Sequence, residues 1–256
     1  VDVTDRAPVV EWGGSPRAAI TWQDLLEMRS GLEWVEDYVD GEKSHVIDML
    51  FGAGVANHGA YAAALPLAAP VGTTWNYSSG TTNILCRCIG DILCGDLVDA
   101  TAHERSERFL HFLSTRLFEP LGMTSALAKC DEAGNFVGSS YVYATARDFL
   151  KFGELYMNGG SVVVHGTRRQ LLPDYWVNHA RTVVANDPAT ETQYGAHWWV
   201  WPQCENSLVA TGYEGQYLAI IPEKELVLVR LGKTDISLRP AVLHQLQQIV
   251  QKVTNL

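Results

Sequence analysis

Hydrophobic positions recur at helical spacing through the first two-thirds of the chain. The clearest case is "TTNILCRCIGDIL", where Ile84, Leu85, Cys88, Ile89 and Ile92 fall on one face of a helix. The same spacing predicts helices in "TWQDLLEMRSG", "AHERSERFLHFLSTRLFEPLG" and "TARDFLKFGELYMNGG". The first part of the chain is therefore expected to be mostly helical.

Polar residues and glycines mark the ends of these predicted helices. Thr21, with Asp24 three residues on, predicts a helix start, and Gly31 predicts its end. Thr145 and Asp148 mark the start of another helix in the same way. The long stretch from "LEWVEDYVDGEKS" to "AAALPLAAPVG" is rich in Gly, Pro and acidic residues, so a loop-rich lobe is predicted there.

The spacing of hydrophobic residues is no longer helical near the C-terminal end of the chain, where strands are predicted. The strands are "YGAHWWVWP", "SLVATGY", "QYLAIIP" and "ELVLVRLG", with a tight hairpin at residues 222–225. The last two are apolar on both faces, so each face needs cover. The final helix, "RPAVLHQLQQIVQKV", can cover one face, and something else must cover the other.

Composition limits the class of protein. With 256 residues, 47% of them apolar and 19% charged, the chain can bury one large core, alone or with a smaller helical lobe. The net charge of −10 argues against a nucleic-acid partner, because no basic stripe exists to contact phosphates. No apolar run reaches the roughly twenty residues of a transmembrane helix. Eight Trp and ten Tyr suit a small organic substrate.

The five cysteines are odd in number and lack a repeated spacing, which favours free thiols over a disulfide framework. Unpaired thiols lean towards a cytoplasmic location, which the sequence otherwise leaves open. Cys86 and Cys88 lie within a helical pattern and lack a second Cys/His pair, so we expect no metal site and no cofactor there.

Five stretches of the sequence carry an ordered similarity to a known family. They are "AITWQDLLEMRSGLEW", "GTTWNYSSG", "LFEPLGMTSA", "YATARDFLKFGELYMNGG" and "GYEGQYLAIIPEKELVLVRLG". In order and spacing they resemble the serine hydrolases of the β-lactamase and penicillin-binding-protein superfamily. Within it, they are most similar to the branch of esterases and 6-aminohexanoate-oligomer hydrolases near class C β-lactamases. The likeness covers nearly the whole chain.

The resemblance implies an α+β fold of the β-lactamase/transpeptidase type. Its antiparallel sheet of five or more strands is flanked by helices and joined to a helical lobe. We expect residues 1–20 to enter the α/β domain, 21–160 to form the mostly helical lobe, and 161–256 to supply the strands and C-terminal helix.

The superfamily works through three elements: Ser-x-x-Lys on a helix, a Tyr- or Ser-led motif, and a Lys- or His-led triplet on an edge strand. Tyr77-Ser78-Ser79 resembles the second. The resemblance implies that Tyr77 relays the proton of the nucleophilic serine, helped by a nearby lysine. It also places Ser79, where many relatives carry Asn, against a substrate carbonyl, which disfavours lactams. The alternative is an ordinary helix start, with Ser78 or Ser79 as N-cap.

The third element maps to Tyr213-Glu214-Gly215, followed by Gln216. The resemblance implies that Gly215 lets the substrate lie against the strand, that Tyr213 contacts it, and that the Gln216 backbone N–H is one arm of an oxyanion hole. Because Tyr213 stands where relatives have a cation, a substrate carboxylate lacks a partner, and esters or amides become favoured over penicillins. Lys233-Thr234-Asp235 imitates Lys-Thr-Gly without its glycine, and we interpret it as a solvated turn.

Two further aromatic positions fall near the expected cleft. Tyr38 corresponds to a tyrosine that contacts the bound amide in the oligomer-hydrolase branch, although packing of Tyr38 on Trp34 is an equally good interpretation. His197 and the neighbouring Trp198-Trp199 pair are interpreted as strand core or cleft wall rather than as catalytic groups.

The first element does not occur in this sequence, because no serine has a lysine three residues later. Ser125 has Lys129 at four, which would put the two on differently angled faces. In the family, Ser-x-x-Lys precedes the "ITWQDLL" region by several tens of residues. We therefore expect an N-terminal segment upstream of Val1 to supply the nucleophile and to cover the sheet. The expected function is hydrolysis of a small ester or linear amide through an acyl-serine, and the alternative is a non-catalytic binding or accessory chain.

Overall fold

The computed structural model describes residues 2–38, 43–97, 99–187 and 190–253. These residues group into two units, which we describe separately. One unit is Val1–Ser114 with Leu127–Tyr143, and the other is Thr115–Ala126 with Ala144–Leu256. The three-part division expected from the sequence stays a prediction.

The first unit is built mainly from helices. They are α1 (Trp22–Leu26), α2 (His45–Phe51), α3 (His58–Ala64), α4 (Ser79–Leu93) and α5 (Ala102–Leu113), with a short antiparallel pair, β1 (Leu127–Ala128) and β2 (Val142–Tyr143). Trp12, Ile20, Leu25 and Ile84 are among the buried side chains that form one continuous core in this unit. Burial of these large apolar groups supplies the main driving force for its folding.

Helix α1 begins as predicted and ends earlier. The Thr21 side chain accepts from the Asp24 backbone N–H, and the Asp24 carboxylate accepts from Thr21 in return. The helix nevertheless stops at Leu26, because Met28 adopts a left-handed conformation with φ of 58°. The predicted end at Gly31 is therefore wrong by about one turn.

The loop-rich prediction for the region after α1 is also wrong in part, because α2 and α3 lie there. Val46, Met49 and Leu50 sit at spacings of three and four in α2 and are all buried. In α3, Ala62 and Ala63 pack into the same core. Each helix has only seven residues, too few for its periodicity to stand out from the surrounding Gly and Pro. Residues 39–42 of this region lie outside the described residues.

The second unit is organised around a sheet. Its helices are α6 (Glu119–Leu121), α7 (Ala146–Met157), α8 (Asp174–Arg181) and α9 (Arg239–Lys252), and a separate two-stranded pair is formed by β3 (Ser161–Val164) and β4 (Thr167–Gln170). The main strands are β5 (Ala185–Asp187), β6 (Thr192–Tyr194), β7 (Trp199–Val200), β8 (Leu208–Gly212), β9 (Gln216–Ile221) and β10 (Leu226–Arg230). They pair antiparallel in the order β10-β9-β8-β7-β6-β5. The predicted α+β class and the hairpin after Ile221 are confirmed.

Helices of the unit itself cover both faces of the β9–β10 hairpin. On one face, Leu246 and Val250 of α9 pack with Tyr217, Ala219 and Ile221. On the other face, Leu218 and Ile220 pack with apolar side chains of α7 and α8. The expectation that a segment outside this chain must cover that second face is therefore wrong.

The approach of α7 to the sheet depends on one small residue. A Cβ atom added at Gly153 would come within 2.4 Å of Val227 Cγ1 and 3.0 Å of Leu218 Cδ1. A larger side chain would push the helix off strand β10, so Gly153 permits the contact that covers the hairpin.

None of the helices in the described ranges has both the length and the apolar character that crossing a membrane requires.

Candidate active site

The motif Tyr77-Ser78-Ser79 lies at the start of α4. The Ser78 side chain accepts from the backbone N–H of Thr81 at 3.0 Å, so Ser78 is the N-cap of this fifteen-residue helix. Ser79 is the first helical residue and is buried. The helix-start interpretation is thus correct for Ser78, and the same turn holds Tyr77 immediately before the helix.

A residue that the sequence analysis did not single out, Glu36, organises this turn. Its Oε2 accepts from the Ser79 backbone N–H at 2.9 Å, and its Oε1 accepts from the Ser79 hydroxyl at 2.6 Å. The hydroxyl of Ser79 has one proton, and here that proton goes to Glu36 rather than towards a substrate carbonyl. A contribution of Ser79 to substrate binding would require it to leave the carboxylate.

Two aromatic side chains share the same carboxylate. Trp34 Nε1 donates to Glu36 Oε2 at 2.5 Å, and the Tyr38 hydroxyl donates to Glu36 Oε1 at 2.9 Å. Trp34 is buried, whereas Tyr38 is 41% exposed. Both interpretations of Tyr38 therefore remain open, since it is tied to Trp34 through Glu36 and still reaches the surface.

The sequence does contain a signal for this cluster. Trp34, Glu36 and Tyr38 occur at intervals of two, the spacing that puts side chains on one side of an extended segment. An acidic residue between two large aromatic residues at that spacing could have been recognised as a candidate site residue. What the spacing could not show was contact with Ser79, which lies 43 positions away along the chain.

The electrostatic surroundings of Tyr77 differ from those expected. Burial raises the pKa of Tyr77 well above its ordinary value, and the nearby charge of Glu36 raises it further. Burial and Glu36 act on the pKa of Tyr38 in the same direction. The expected lysine would lower the pKa of a phenol, so the shift runs opposite to that expectation. Because its pKa is raised, the Tyr77 side chain is a neutral phenol at pH 7.

The third motif forms a turn rather than lying along an edge strand. Tyr213, Glu214 and Gly215 connect β8 to β9, two strands in the interior of the sheet order, and Gly212 pairs with Gln216 across them. Glu214 and Gly215 have φ of 60° and 79°, and the second value favours glycine. A Cβ on Gly215 would meet Thr234 and Arg230 at 3.4–3.5 Å, so this side of the glycine faces the protein.

Three cationic side chains surround this turn, although its first residue is a tyrosine. Arg230 donates to the Gly215 carbonyl oxygen, Lys233 lies 3.4 Å from the Glu214 carboxylate, and Arg239 lies 5.0 Å from the centre of the Tyr213 ring. The lead position of the motif carries a tyrosine in place of a cation, but positive charge nevertheless lies beside the turn. The charges come from residues distant in sequence, and contacts within the protein engage each of them.

The Lys233-Thr234-Asp235 segment is not wholly a solvated turn. Lys233 is exposed, but Thr234 is buried, donates its backbone N–H to the Glu214 carbonyl at 3.0 Å and accepts from Arg230 at 2.7 Å. The segment therefore fastens the turn that carries the third motif. Gln216, at the start of β9, is exposed, and its side chain donates to the Tyr213 carbonyl at 3.2 Å.

Ser125 and Lys129 do not form a nucleophile pair. The Ser125 hydroxyl donates to Asp148 at 2.6 Å, and its backbone N–H donates to the same carboxylate at 2.8 Å. Lys129 Nζ lies 5.4 Å from the centre of the Tyr143 ring. Ser125 thus fastens the start of α7, where Asp148 lies in the first turn.

The tryptophan pair after His197 belongs to the core. Trp198 packs edge-on against Tyr156 at 4.8 Å between ring centres, and Trp199 packs against Tyr194 at 4.9 Å. His197 has a left-handed backbone with φ of 59°. Trp198, just before β7, is buried, and Trp199, the first residue of β7, is half-buried, so both rings are packed as the interpretation of core or cleft wall expects.

Across residues 2–38, 43–97, 99–187 and 190–253, no group of three His, Cys, Asp or Glu side chains is arranged to hold a metal ion. Burial raises the pKa of both Cys86 and Cys88 to about 12, so both thiols are protonated at neutral pH. A protonated, buried thiol is a poor nucleophile and a poor metal ligand.

Comparison with known proteins identifies the family. The model of the Beta-lactamase family matches residues 2–249. The chain belongs to the β-lactamase family. This membership confirms the predicted superfamily and its β-lactamase/transpeptidase-like fold, and it points to activity of the serine-hydrolase type.

Three solved structures illustrate the shared fold. One from Bacillus anthracis, assigned as a 6-aminohexanoate-dimer hydrolase, has 20% identity and a TM-score of 0.74, covering 99% of this chain and 68% of its own. A penicillin-binding protein from Bacillus halodurans has 16% identity and a TM-score of 0.64, with coverage of 97% and 79%. A protein from Bacteroides dorei, assigned as a β-lactamase, has 16% identity and a TM-score of 0.56, with coverage of 98% and 79%. No match was found among curated proteins.

Proposed function

We propose that the complete protein is a serine hydrolase that acts on a small ester or a linear amide through an acyl-serine intermediate. The observation that carries the proposal is the Tyr77 phenol at the start of α4, beside Ser79 and the Glu36 carboxylate. Membership of the β-lactamase family supports the reaction class, and the sequence order of the motifs supports the role of Tyr77.

The proposed nucleophile comes from outside the 256 residues. No serine in the sequence has a lysine three positions later, and the hydroxyls of Ser78, Ser79 and Ser125 are engaged in contacts that fasten helix starts. We therefore propose that a serine and a lysine of a preceding segment complete the site.

In this proposal Tyr77 relays a proton. The serine oxygen attacks the substrate carbonyl, its proton passes through the Tyr77 hydroxyl to the leaving alkoxide or amine, and water then releases the acyl group. Burial and Glu36 keep the phenol protonated in this chain. A lysine beside it would oppose Glu36 and bring the pKa of Tyr77 towards the working range.

The remaining predicted site residues keep their proposed roles in substrate binding. These are Tyr38, Ser79, Tyr213 and Gly215, with the Gln216 backbone N–H as one arm of the oxyanion hole. The binding of a small molecule requires neither a metal nor a cofactor in this proposal.

A second candidate is a non-catalytic binding or accessory chain. The raised pKa of Tyr77 favours it, because a fully protonated phenol is a poor proton acceptor at neutral pH. In that case the cluster around Glu36 would bind a ligand without turning it over.

Labelling with a fluorophosphonate probe separates these candidates. We expect residues 1–256 alone to gain no mass, and a longer protein that includes the preceding segment to gain one probe mass on a serine of that segment. Intact-protein mass spectrometry followed by peptide mapping makes the measurement. An adduct on a serine within 1–256 would refute the external nucleophile, and absence of labelling in the longer protein would favour the accessory chain.

A further inference from the structure

The second unit has a pocket that is lined by two arginines. Its volume is about 450 Å³, and Arg168 of β4, Arg181 of α8, Asp174 and Pro222 are among the residues that line it. We call it the arginine pocket. Gln216 begins β9 and Pro222 follows its end, so the third motif and the pocket lie at opposite ends of this strand, about 20 Å apart.

Neutral groups hold both guanidinium groups in place. Arg168 Nε donates to the hydroxyl of Ser161 at 2.9 Å, and that hydroxyl donates to the Asn158 carbonyl at 2.8 Å. Ser161 is buried, so Arg168 is anchored to the packed side of its hairpin. Arg181 Nη2 donates to Asn178 Oδ1 within α8. A guanidinium has five N–H donors, and among the described residues one nitrogen of each arginine has an acceptor, so donors remain for a ligand.

The charge of these two arginines is not neutralised by an ion pair. Other arginines of the protein have carboxylate partners, such as Arg87 with Glu11 and Arg105 with Asp91. Neither arginine of the pocket has such a partner within the ranges that the structure describes, although the Asp174 carboxylate also lines the pocket. Two positive charges against one negative charge leave the pocket with a local positive charge.

Apolar side chains lie beneath these polar groups. Met157, at the end of α7, and Val177 of α8 both line the pocket and belong to one hydrophobic cluster. A guanidinium binds the paired oxygens of a carboxylate or a phosphate, and the apolar side chains suit a small hydrocarbon group. The volume lies within the range of small-molecule sites. The chemistry of the pocket therefore matches a small organic anion.

We propose that the arginine pocket is a second binding site, in which Arg168 and Arg181 hold the carboxylate or phosphate group of a small organic anion. The apolar part of the ligand lies on Met157 and Val177. The site is independent of the proposed hydrolase function, because none of the residues assigned to that function lines the pocket.

The test titrates the complete protein with benzoate, phenyl phosphate and benzyl alcohol, which share an aromatic ring and differ in the polar group. Two-dimensional proton–nitrogen NMR gives the dissociation constants and shows which arginine Nε–H signals shift. We expect the tighter-binding anion to bind at least about fivefold more tightly than benzyl alcohol, the upper end for exposed ion pairs, and to shift the signals of Arg168 and Arg181. That anion identifies the preferred head group. The net charge of −10 repels anions overall, so such a preference has to come from local positive charge.

Substitution of the arginines localises the site. Arg168→Gln and Arg181→Gln should each weaken binding of the preferred anion by about fivefold or more. Arg169→Gln is the matched control, because Arg169 is the next residue of β4, is also exposed and has its side chain on the opposite side of the strand. An equal loss in Arg169→Gln would mean that the anion responds only to the general charge of the hairpin, and the inference would be wrong.

Asp174→Asn gives a readout that misfolding cannot imitate, because the expected change is a gain. The substitution removes the negative charge that Asp174 places in the pocket, so the preferred anion should bind about twofold or more tightly. Unchanged or weaker binding would place the ligand elsewhere and overturn the inference. The inference also fails if benzyl alcohol binds to the unmodified protein as tightly as both anions.

Discussion

The carboxylate of Glu36 accepts hydrogen bonds from both the backbone N–H and the hydroxyl of Ser79, at 2.9 and 2.6 Å. It thereby joins the segment before α2 to the start of α4. The same carboxylate holds Trp34 and Tyr38 and lies close enough to Tyr77 to raise its pKa. One side chain therefore sets the geometry and the charge of the candidate site.

Removing this side chain should weaken the fold. Glu36→Ala leaves the buried Ser79 hydroxyl and N–H without their acceptor, and we expect the free energy of unfolding to fall by about 1–3 kcal/mol. Urea denaturation followed by circular dichroism measures the change. The exposed Glu205 provides the control, since Glu205→Ala removes a carboxylate from the surface. Equal effects of the two substitutions would show that the hydrogen bonds of Glu36 contribute no stability.

The hydroxyl of Tyr77 should be needed for turnover. In the complete protein, Tyr77→Phe should reduce kcat for a p-nitrophenyl ester by about 100-fold or more, as expected for loss of a positioned proton relay. Steady-state kinetics make the measurement, with circular dichroism to check the fold.

The control for Tyr77 is another half-buried tyrosine of the same unit. Tyr61 donates to Asp48 at 2.8 Å, and Tyr61→Phe also removes one hydroxyl. Tyr61→Phe should change kcat by less than about threefold, because a substitution of a partly exposed residue away from the site has only a small effect on the fold. Unchanged kinetics in Tyr77→Phe would remove Tyr77 from the mechanism.

Asp148 should make stability depend on pH in the acid range. Lys151 and Ser125 hold the pKa of Asp148 down to about 2, below its ordinary value of 3.8. A carboxylate with a lowered pKa stabilises the folded state above its unfolded pKa, and this contribution is lost as the pH falls from about 4 to about 2. Asp148→Asn should therefore lower stability at pH 7 and make little difference at pH 2.

Urea denaturation of the unmodified protein and of Asp148→Asn at both pH values checks this sign. Asp174, in the first turn of α8, offers a control at another helix start. An effect of Asp148→Asn that is the same at pH 7 and pH 2 would mean that ionisation of Asp148 does not stabilise the fold.

Esters and linear amides should be better substrates than β-lactams. Tyr213 stands at the lead position of the third motif. The nearby cations already have partners within the protein: Arg230 donates to Gly215 and Thr234, and Lys233 pairs with Glu214. A carboxylate on a penicillin or cephalosporin would have to displace these contacts before it gained a partner. We expect kcat/KM for p-nitrophenyl acetate to exceed that for nitrocefin and benzylpenicillin by about tenfold or more. Comparable values for nitrocefin would refute this preference.

Much of the local structure could be predicted from the sequence. The Thr21 and Thr145 helix starts depend on a side chain meeting a backbone N–H three residues on, so both partners stand in one short stretch of sequence. The strands from β8 to β10 follow from runs of apolar residues separated by turn formers. The family was likewise recognisable, because its motifs keep their order along the chain.

The tertiary structure alone decided the contacts between distant segments. Glu36 meets Ser79 across 43 positions, and Gly153 lets α7 lie against Val227 and cover a sheet face for which we expected a segment outside this chain. The pKa of Tyr77 follows from such contacts, since burial and the charge of Glu36 depend on which chain segments pack together. Local sequence patterns predict short-range hydrogen bonds and the periodicity of helices and strands. The electrostatic surroundings of a site depend instead on the charges of all neighbouring side chains, and only the folded chain brings those side chains close together.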